Sequence, residues 1–228
     1  MKLSFKKLKE KEKQERRKYI IDAAEKLFLD KGYDKVSMSD IAQEVGVNRV
    51  TLYLYFKNKD SIYFAVLLRG LYLLRDSFRK SIKEDQDGLE RLIALCNAFF
   101  SYYPEHPKYY NQLAYMRARS FDISQIENAE EHMIVAQELM DAISNSIEMG
   151  IKEGSMKKDL EPIKTAVFVV NNCEKYVYPG PDMLGFLGMH NIPQEQYLEY
   201  CFNLLISTIS NQQRIDLDHI QSGTNEGE

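Results

Sequence analysis

The stretch Val36-Ser-Met-Ser-Asp-Ile-Ala-Gln-Glu-Val-Gly-Val-Asn-Arg-Val-Thr-Leu-Tyr-Leu-Tyr-Phe56 constrains this chain more than any other segment. Ser37 can cap a helix, and Asp40, three residues on, completes a reciprocal capping box. Val36 and Ile41 flank that cap as a hydrophobic staple. Gly46 falls where a tight turn needs positive φ, which glycine alone adopts freely. Asn48 then caps a second helix, with Val47 and Leu52 as its staple. Two short helices joined by a glycine-containing turn of three or four residues make a helix-turn-helix. Such a motif lays its second helix in the major groove of DNA.

The flanks supply a third helix. Ile20, Ala24, Leu27 and Phe28 stand at i, i+4, i+7 and i+8, a single apolar stripe. Gly32 ends that helix. Glu12 and Arg16 form a favourable i, i+4 pair that carries it back into the basic N-terminal run. Packed across the motif, it would share a small core with Ile41, Ala42, Val45, Leu52 and Phe56.

A net charge of −4 looks unsuited to a polyanion partner until the chain is divided. Residues 1–60 hold 15 Lys+Arg against 10 Asp+Glu, while the remaining 168 hold 15 against 24. The positive charge is thus concentrated around the motif, where phosphate attraction would act. Residues 1–18 alone carry nine basic and three acidic side chains, a solvated helix or a phosphate-contacting arm. Cys96, Cys173 and Cys201 are odd in number and scattered, as expected for reduced thiols in the cytoplasm. No apolar run is long enough for a membrane span, and the lysine-glutamate start is no signal peptide. A catalytic reading finds no phosphate-binding glycine loop and no nucleophile elbow. His106, His132, His190 and His219 offer no metal-ligand pair. We therefore expect no enzyme, no cofactor and no metal.

Residues 16–66 resemble the DNA-binding domain of the TetR family of transcriptional repressors. The resemblance rests on Ala23-Ala-Glu-Lys-Leu-Phe28, Gly32-Tyr, Ser39-Asp-Ile-Ala42, Val45-Gly-Val47, Thr51-Leu-Tyr53 and Tyr55-Phe-Lys-Asn-Lys59. Val50 and Leu54 depart from the family pattern, which usually has a small residue at the first position and an aromatic or histidine at the second. Both lie on or near the reading helix, so they bear on which operator is read. Beyond the fourth helix the resemblance reduces to Gly150-Ile-Lys-Glu-Gly154 and Lys158-Asp-Leu-Glu-Pro162.

With Leu52 and Phe56 turned inward, Arg49, Val50, Thr51, Tyr53 and Leu54 face the groove. Arg49 is the candidate for a guanine contact, since a guanidinium grips both major-groove acceptors of that base. Thr51 and Leu54 can touch a thymine methyl, and Tyr53 and Tyr55 reach backbone oxygens. Lys59, following the Asn58 cap, would bind phosphate at a helix N-terminus. Ser39 is a further phosphate candidate, and Asn48 completes the surface. The resemblance implies DNA contacts at Thr51, Tyr53, Tyr55 and Lys59.

The remainder reads as helix. Expected segments are Asn58 to about Ile82, Leu89–Tyr102, Tyr109–Ser120 after a break at Pro104–Pro107, Ser124–Glu153, Pro162–Val177 and Gln194–Asn211. Loop is expected from Pro179-Gly-Pro181 through the Gly-rich stretch to Pro193. The expected fold is all-α: an N-terminal three-helix helix-turn-helix domain (residues 1–60), a C-terminal helical ligand-binding and dimerisation domain (61–215), and a disordered tail (216–228). Ile163, Ala166, Val167, Val170, Cys173 and Val177, with Tyr197, Cys201, Leu204, Leu205 and Thr208, form a stripe suited to a homodimer. Tyr103, Tyr110, Tyr115, Asn171, Asn172 and Tyr176 are candidate ligand contacts. The expected function is a repressor that binds a near-palindromic double-stranded DNA operator as a dimer and is released by a small molecule. A ligand-independent DNA-binding scaffold under a protein partner is the competing reading. A cavity in the helical body would favour the sensor and a filled core the scaffold.

Overall fold

A computed structural model describes residues 5–127 and 129–211. The described chain is a series of helices: α1 (Phe5–Lys31), α2 (Met38–Val45), α3 (Arg49–Tyr53), α4 (Lys59–Ser81), α5 (Gly88–Glu105), α6 (Pro107–Ala118), α7 (Ala129–Glu153), α8 (Pro162–Val177), α9 (Pro181–Met189) and α10 (Gln194–Ile209). A 3-10 turn at Ile123–Gln125 precedes α7. Among the described residues no strand forms; Met156 and Ser210 make one isolated bridge. No helix there is long and apolar enough to cross a membrane. The expected tail 216–228 and His219 lie outside the described residues.

Packing gathers the chain into two compact units. The first takes the chain to Arg79 and Ser101–Leu139; the second takes Lys80–Phe100 and the chain from Met140 onward. In the first, Ile20, Ala24, Leu27 and Phe28 are buried with Ile41, Ala42, Leu52 and Phe56, the expected small core except for Val45, which is only half-buried. Phe28 meets Tyr63 edge-on at 5.1 Å, and Tyr63 stacks on Phe121 at 5.9 Å. Tyr63 is fully buried, and its hydroxyl donates to the Gln112 carbonyl at 3.0 Å, so the ring brings no unpaired oxygen into the core.

In the second unit, Leu92, Leu95, Ile147, Met156, Ala166 and Val169 are buried. Gly88 opens α5 hard against α7: a Cβ there would lie 2.0 Å from the Gly150 nitrogen. The stripe on α8 and α10 splits. Ala166, Cys173, Val177 and Leu205 are buried within the subunit, whereas Ile163, Val167 and Leu204 are exposed beside Phe168 and Tyr200.

Three expectations about elements need correcting. Residues 181–189 form a helix instead of a loop, because Pro181 starts it with its fixed φ and Asp182 sits in the first turn. Gly185 and Gly188 have open space around them, and neither breaks that helix. The long helix begins at Ala129, since residues 123–125 tighten into the 3-10 turn with Asp122 accepting from the Ser124 amide at 3.1 Å. Pro104 lies inside α5, and the break narrows to His106, between α5 and Pro107.

Candidate nucleic-acid interface

Each end of the motif is closed by the groups its sequence supplies. Asp40 accepts from the Ser37 amide at 2.8 Å, and the Ser37 hydroxyl accepts from the Asp40 amide at 3.2 Å. The Ser37 hydroxyl, donating to the Asp40 carboxylate at 2.6 Å, and then the Ser37 amide hold that carboxyl below the usual carboxylate range. Gly46 adopts φ 78°, and its neighbour Val47 donates to the Ala42 carbonyl at 2.9 Å. The Asn48 Oδ1 accepts from both the amide (2.7 Å) and the hydroxyl (2.9 Å) of Thr51. Asn48 and Thr51 thus spend their polar atoms on starting α3, leaving the Asn48 Nδ2 and the Thr51 methyl for a partner.

A five-residue helix has almost no stability of its own, so α3 is held by what it buries. Leu52 and Phe56 are fully buried, while Val50 is 74% and Leu54 72% exposed. Arg49 and Tyr53 share a face, the guanidinium Nη2 donating to the Tyr53 hydroxyl at 2.9 Å. That bond aligns two long side chains before any DNA arrives. Ser39, Arg49 and Lys59 meet at one open groove of about 380 Å³, together with Lys35, Ser37 and Asp34. Val50, Tyr53, Leu54 and Tyr55 do not line it. Lys35 is a basic groove residue that sequence reasoning passed over, because it lies in the connector before the motif.

Lys59 is placed differently from a free phosphate ligand. Its ammonium donates to the carbonyls of Tyr33 (3.0 Å) and Val36 (2.9 Å) and lies 3.8 Å from the Tyr33 ring centre. Burial pushes its pKa down. Two of its three N–H donors therefore brace the connector between α1 and α2, and one is left for a phosphate.

A second set of contacts grips the motif from behind. Arg17 stacks over Phe56 at 4.0 Å, donates to the Tyr55 carbonyl and pairs with Glu127 at 3.2 Å. Glu127 also accepts from the Lys57 amide at 3.1 Å, and its own amide donates to Ser61 at 3.2 Å. Asn58 donates to the Gln125 carbonyl at 3.1 Å. Asp34 accepts from the Tyr115 hydroxyl at 2.7 Å and from Arg119 at 2.8 Å, which together hold its carboxyl low. Residues 115–127 are thereby tied to both ends of the DNA-reading segment. None of these pairs is adjacent in sequence, and periodicity gave no sign of them.

The six candidate ligand residues fall into two groups. Tyr103, Tyr110 and Tyr115 belong to the first unit, with Tyr103 and Tyr110 edge-on at 4.6 Å. Asn171, Asn172 and Tyr176 belong to the second; both amides donate back to carbonyls of α8, at 2.9 and 2.7 Å, and Tyr176 donates to Asn172 at 3.2 Å. Among the described residues no cluster of three or more His, Cys, Asp or Glu is placed to hold a metal ion.

Comparison with known proteins bears on residues 20–66 most directly, which match the family described as "Bacterial regulatory proteins, tetR family". The chain is 36% identical over 88 residues to the HTH-type transcriptional activator FasR of Mycolicibacterium smegmatis, covering 39% of this chain and only 40% of that regulator. It is 28% identical over 151 residues to the fatty acid metabolism regulator protein of Bacillus subtilis, covering 65% of this chain and 76% of that one. Among solved structures, the regulator FadR of Bacillus subtilis in complex with stearoyl-CoA superposes with a TM-score of 0.62 at 21% identity, covering 83% of this chain and 97% of FadR. The ketosteroid regulator KstR2 of Mycobacterium tuberculosis gives 0.61 at 19%, covering 86% and 96%. These structures share the all-helical fold, and the named relatives are regulators of transcription rather than enzymes.

Proposed function

The chain belongs to the tetR family of bacterial regulatory proteins, and on that footing we propose that it is a dimeric repressor released from its operator by a small molecule in the cytoplasm. The observation that carries the DNA-reading part is the division of residues 49–56 into a buried pair, Leu52 and Phe56, and an exposed row, Arg49, Val50, Tyr53 and Leu54. A helix so short earns nothing from that exposure unless a partner covers it. Residues 1–60 are the proposed DNA-reading part and 61–215 the regulatory and dimerising part. Dimerisation is supported by the apolar side chains left exposed on α8 and α10, namely Ile163, Val167, Phe168 and Leu204. Two copies would read half-sites about 34 Å apart, one turn of the duplex, and so favour a near-palindromic operator.

Fatty-acyl thioesters are the first effectors to try, because one relative is a fatty acid metabolism regulator and a structural neighbour holds stearoyl-CoA. The deciding experiment is binding of the purified protein to fragments of its own genome, followed by sequencing. Enrichment of a few near-palindromic promoter sites is expected. Salt-sensitive binding spread evenly over all fragments would refute the reading.

A further inference from the structure

The apolar stripe that seats α1 on the motif, Ile20, Ala24, Leu27 and Phe28, continues toward the N-terminus in a different chemistry. At the same steps of three and four residues, the helix places Lys9, Lys13, Arg16 and Arg17 on that side. Arg17 is taken up by Phe56, Tyr55 and Glu127. Arg16 reaches the Tyr55 hydroxyl at 3.5 Å, so α1 passes the end of the reading segment at this point. From Arg16 back to Phe5 every described side chain is exposed. That stretch of helix runs for about three turns, or about 17 Å.

The extension works against its own stability in the free protein. Lys9 and Lys13 are like charges four residues apart, and Lys13 repels Arg16 and Arg17 at three and four, spacings that weaken a helix. No acidic residue stands in the first turn, so the positive end of the helix dipole faces more positive charge. The favourable pairs, Arg16 with Glu12 at 2.7 Å and Lys11 with Glu15 at 4.0 Å, are exposed and contribute little. Glu10, Glu12 and Glu15 are each turned about 60° or more from the centre of the Lys9–Lys13–Arg16 row. A polyanion laid along the row would remove the repulsion and answer the dipole together.

We propose that the Lys9, Lys13 and Arg16 face of α1 is a second DNA-contacting surface, lying along the phosphate backbone next to the reading segment. The choice of DNA as partner rests on the regulator reading. Charge complementarity and continuity both support it: the row is cationic throughout, and Arg16 touches Tyr55, at the end of the segment whose Arg49 and Tyr53 face outward. Lys9 to Arg16 spans about 10 Å of helix, the axial rise of about three base pairs, so three cations meet about three phosphates of one strand. Such contacts fix the protein's register and add affinity without reading bases.

The test compares two triple variants of the full chain that remove equal charge from opposite faces of α1. Lys9→Gln/Lys13→Gln/Arg16→Gln empties the row, and Lys7→Gln/Lys11→Gln/Lys18→Gln strips the face about 180° away. Glutamine keeps a long unbranched stem and a comparable helix propensity. Affinity for enriched genomic fragments is followed by fluorescence anisotropy between about 50 and 200 mM salt. The row variant should lose about 2.7 per bound copy from the slope of log affinity against log salt, since each phosphate contributes about 0.9. The opposite-face variant should lose less than about 0.9. Equal losses from both would reduce the effect to net charge and overturn the contact, as would an unchanged slope in the row variant. If the row variant melts more than about 5 °C below wild type, Lys9→Gln/Lys13→Gln, which leaves Arg16 on Tyr55, decides with an expected loss of about 1.8.

Backbone contacts carry no sequence information, so the same slopes can be read on a mixed-sequence duplex of equal length. A wild type that enriches no genomic fragment, yet whose slope on that duplex falls only with the row variant, refutes the regulator reading and upholds the contact. One that enriches fragments while both variants keep the wild-type slope does the reverse. Binding of the row to phosphatidylserine vesicles, with no change of slope on DNA, would assign it to a lipid surface and overturn the proposal.

Discussion

Replacing Lys59 by methionine separates two uses of one ammonium group. Methionine keeps an unbranched apolar side chain and removes the charge that lies over the Tyr33 ring. It leaves the carbonyls of Tyr33 and Val36 without the donor that now lies 3.0 and 2.9 Å away. A hydrogen bond to a charged group contributes about 1.5–3 kcal/mol, and a half-exposed cation over a ring about 0.5–1 kcal/mol. The burial that lowers the Lys59 pKa opposes these gains, since the ammonium is partly stripped of water. Water can also reach the orphaned carbonyls. A net loss of about 2–3 kcal/mol is the expected outcome, or about 5–10 °C in melting temperature for a chain of this size. Thermal unfolding followed by circular dichroism measures it. The companion assay is fragment binding between about 50 and 200 mM salt, where each phosphate contact contributes about 0.9 to the slope of log affinity against log salt. If Lys59 braces the connector, the methionine variant melts lower, whether or not loss of the third N–H also takes up to about 0.9 from the slope. A melting temperature within about 2 °C of wild type, with the slope reduced by about one phosphate, would refute the bracing role.

Three further outcomes are expected. Arg49→Ala should relax preference at one base position by about 1–3 kcal/mol without lowering the melting temperature, read by sequencing fragments bound by each variant. Gly88→Ala should destabilise by about 3 kcal/mol or more, because its Cβ would lie 2.0 Å from backbone nitrogen that cannot swing aside; chemical denaturation would show it. Gly185→Ala should stabilise by about 0.5–1 kcal/mol, since the position is helical with nothing within 4 Å of a new Cβ. Destabilisation by the alanine would mean that α9 is not a helix.

The reading head was legible because its signals are local. A capping box spans three residues, a helix stripe spans eight, and a glycine turn announces itself at one position. Ser37, Asp40, Gly46, Asn48, Leu52 and Phe56 each do in the fold what their own neighbours imply. The failures have a local cause too. Gly185 and Gly188 suggest loop because glycine is a poor helix former, yet Pro181 supplies a start and Leu187 a side chain to bury. At α8 the stripe was drawn one helical face too wide. Ala166 and Cys173 turn into the subunit, while Val167 and Phe168, one and two positions after Ala166, turn outward. Only a structure separates faces about 100° apart on a single helix.

The regulatory side was illegible for a different reason. Its polar groups meet across long separations, such as Arg17 with Glu127 and Asp34 with Arg119. In sequence these are ordinary surface charges, and the prior for an isolated surface pair is a contribution near zero. What changes their meaning is convergence. Glu127 receives Arg17 and the Lys57 amide while its own amide binds Ser61, so one residue couples α1, the end of the motif and the start of α4. Groups sharing partners in this way act non-additively.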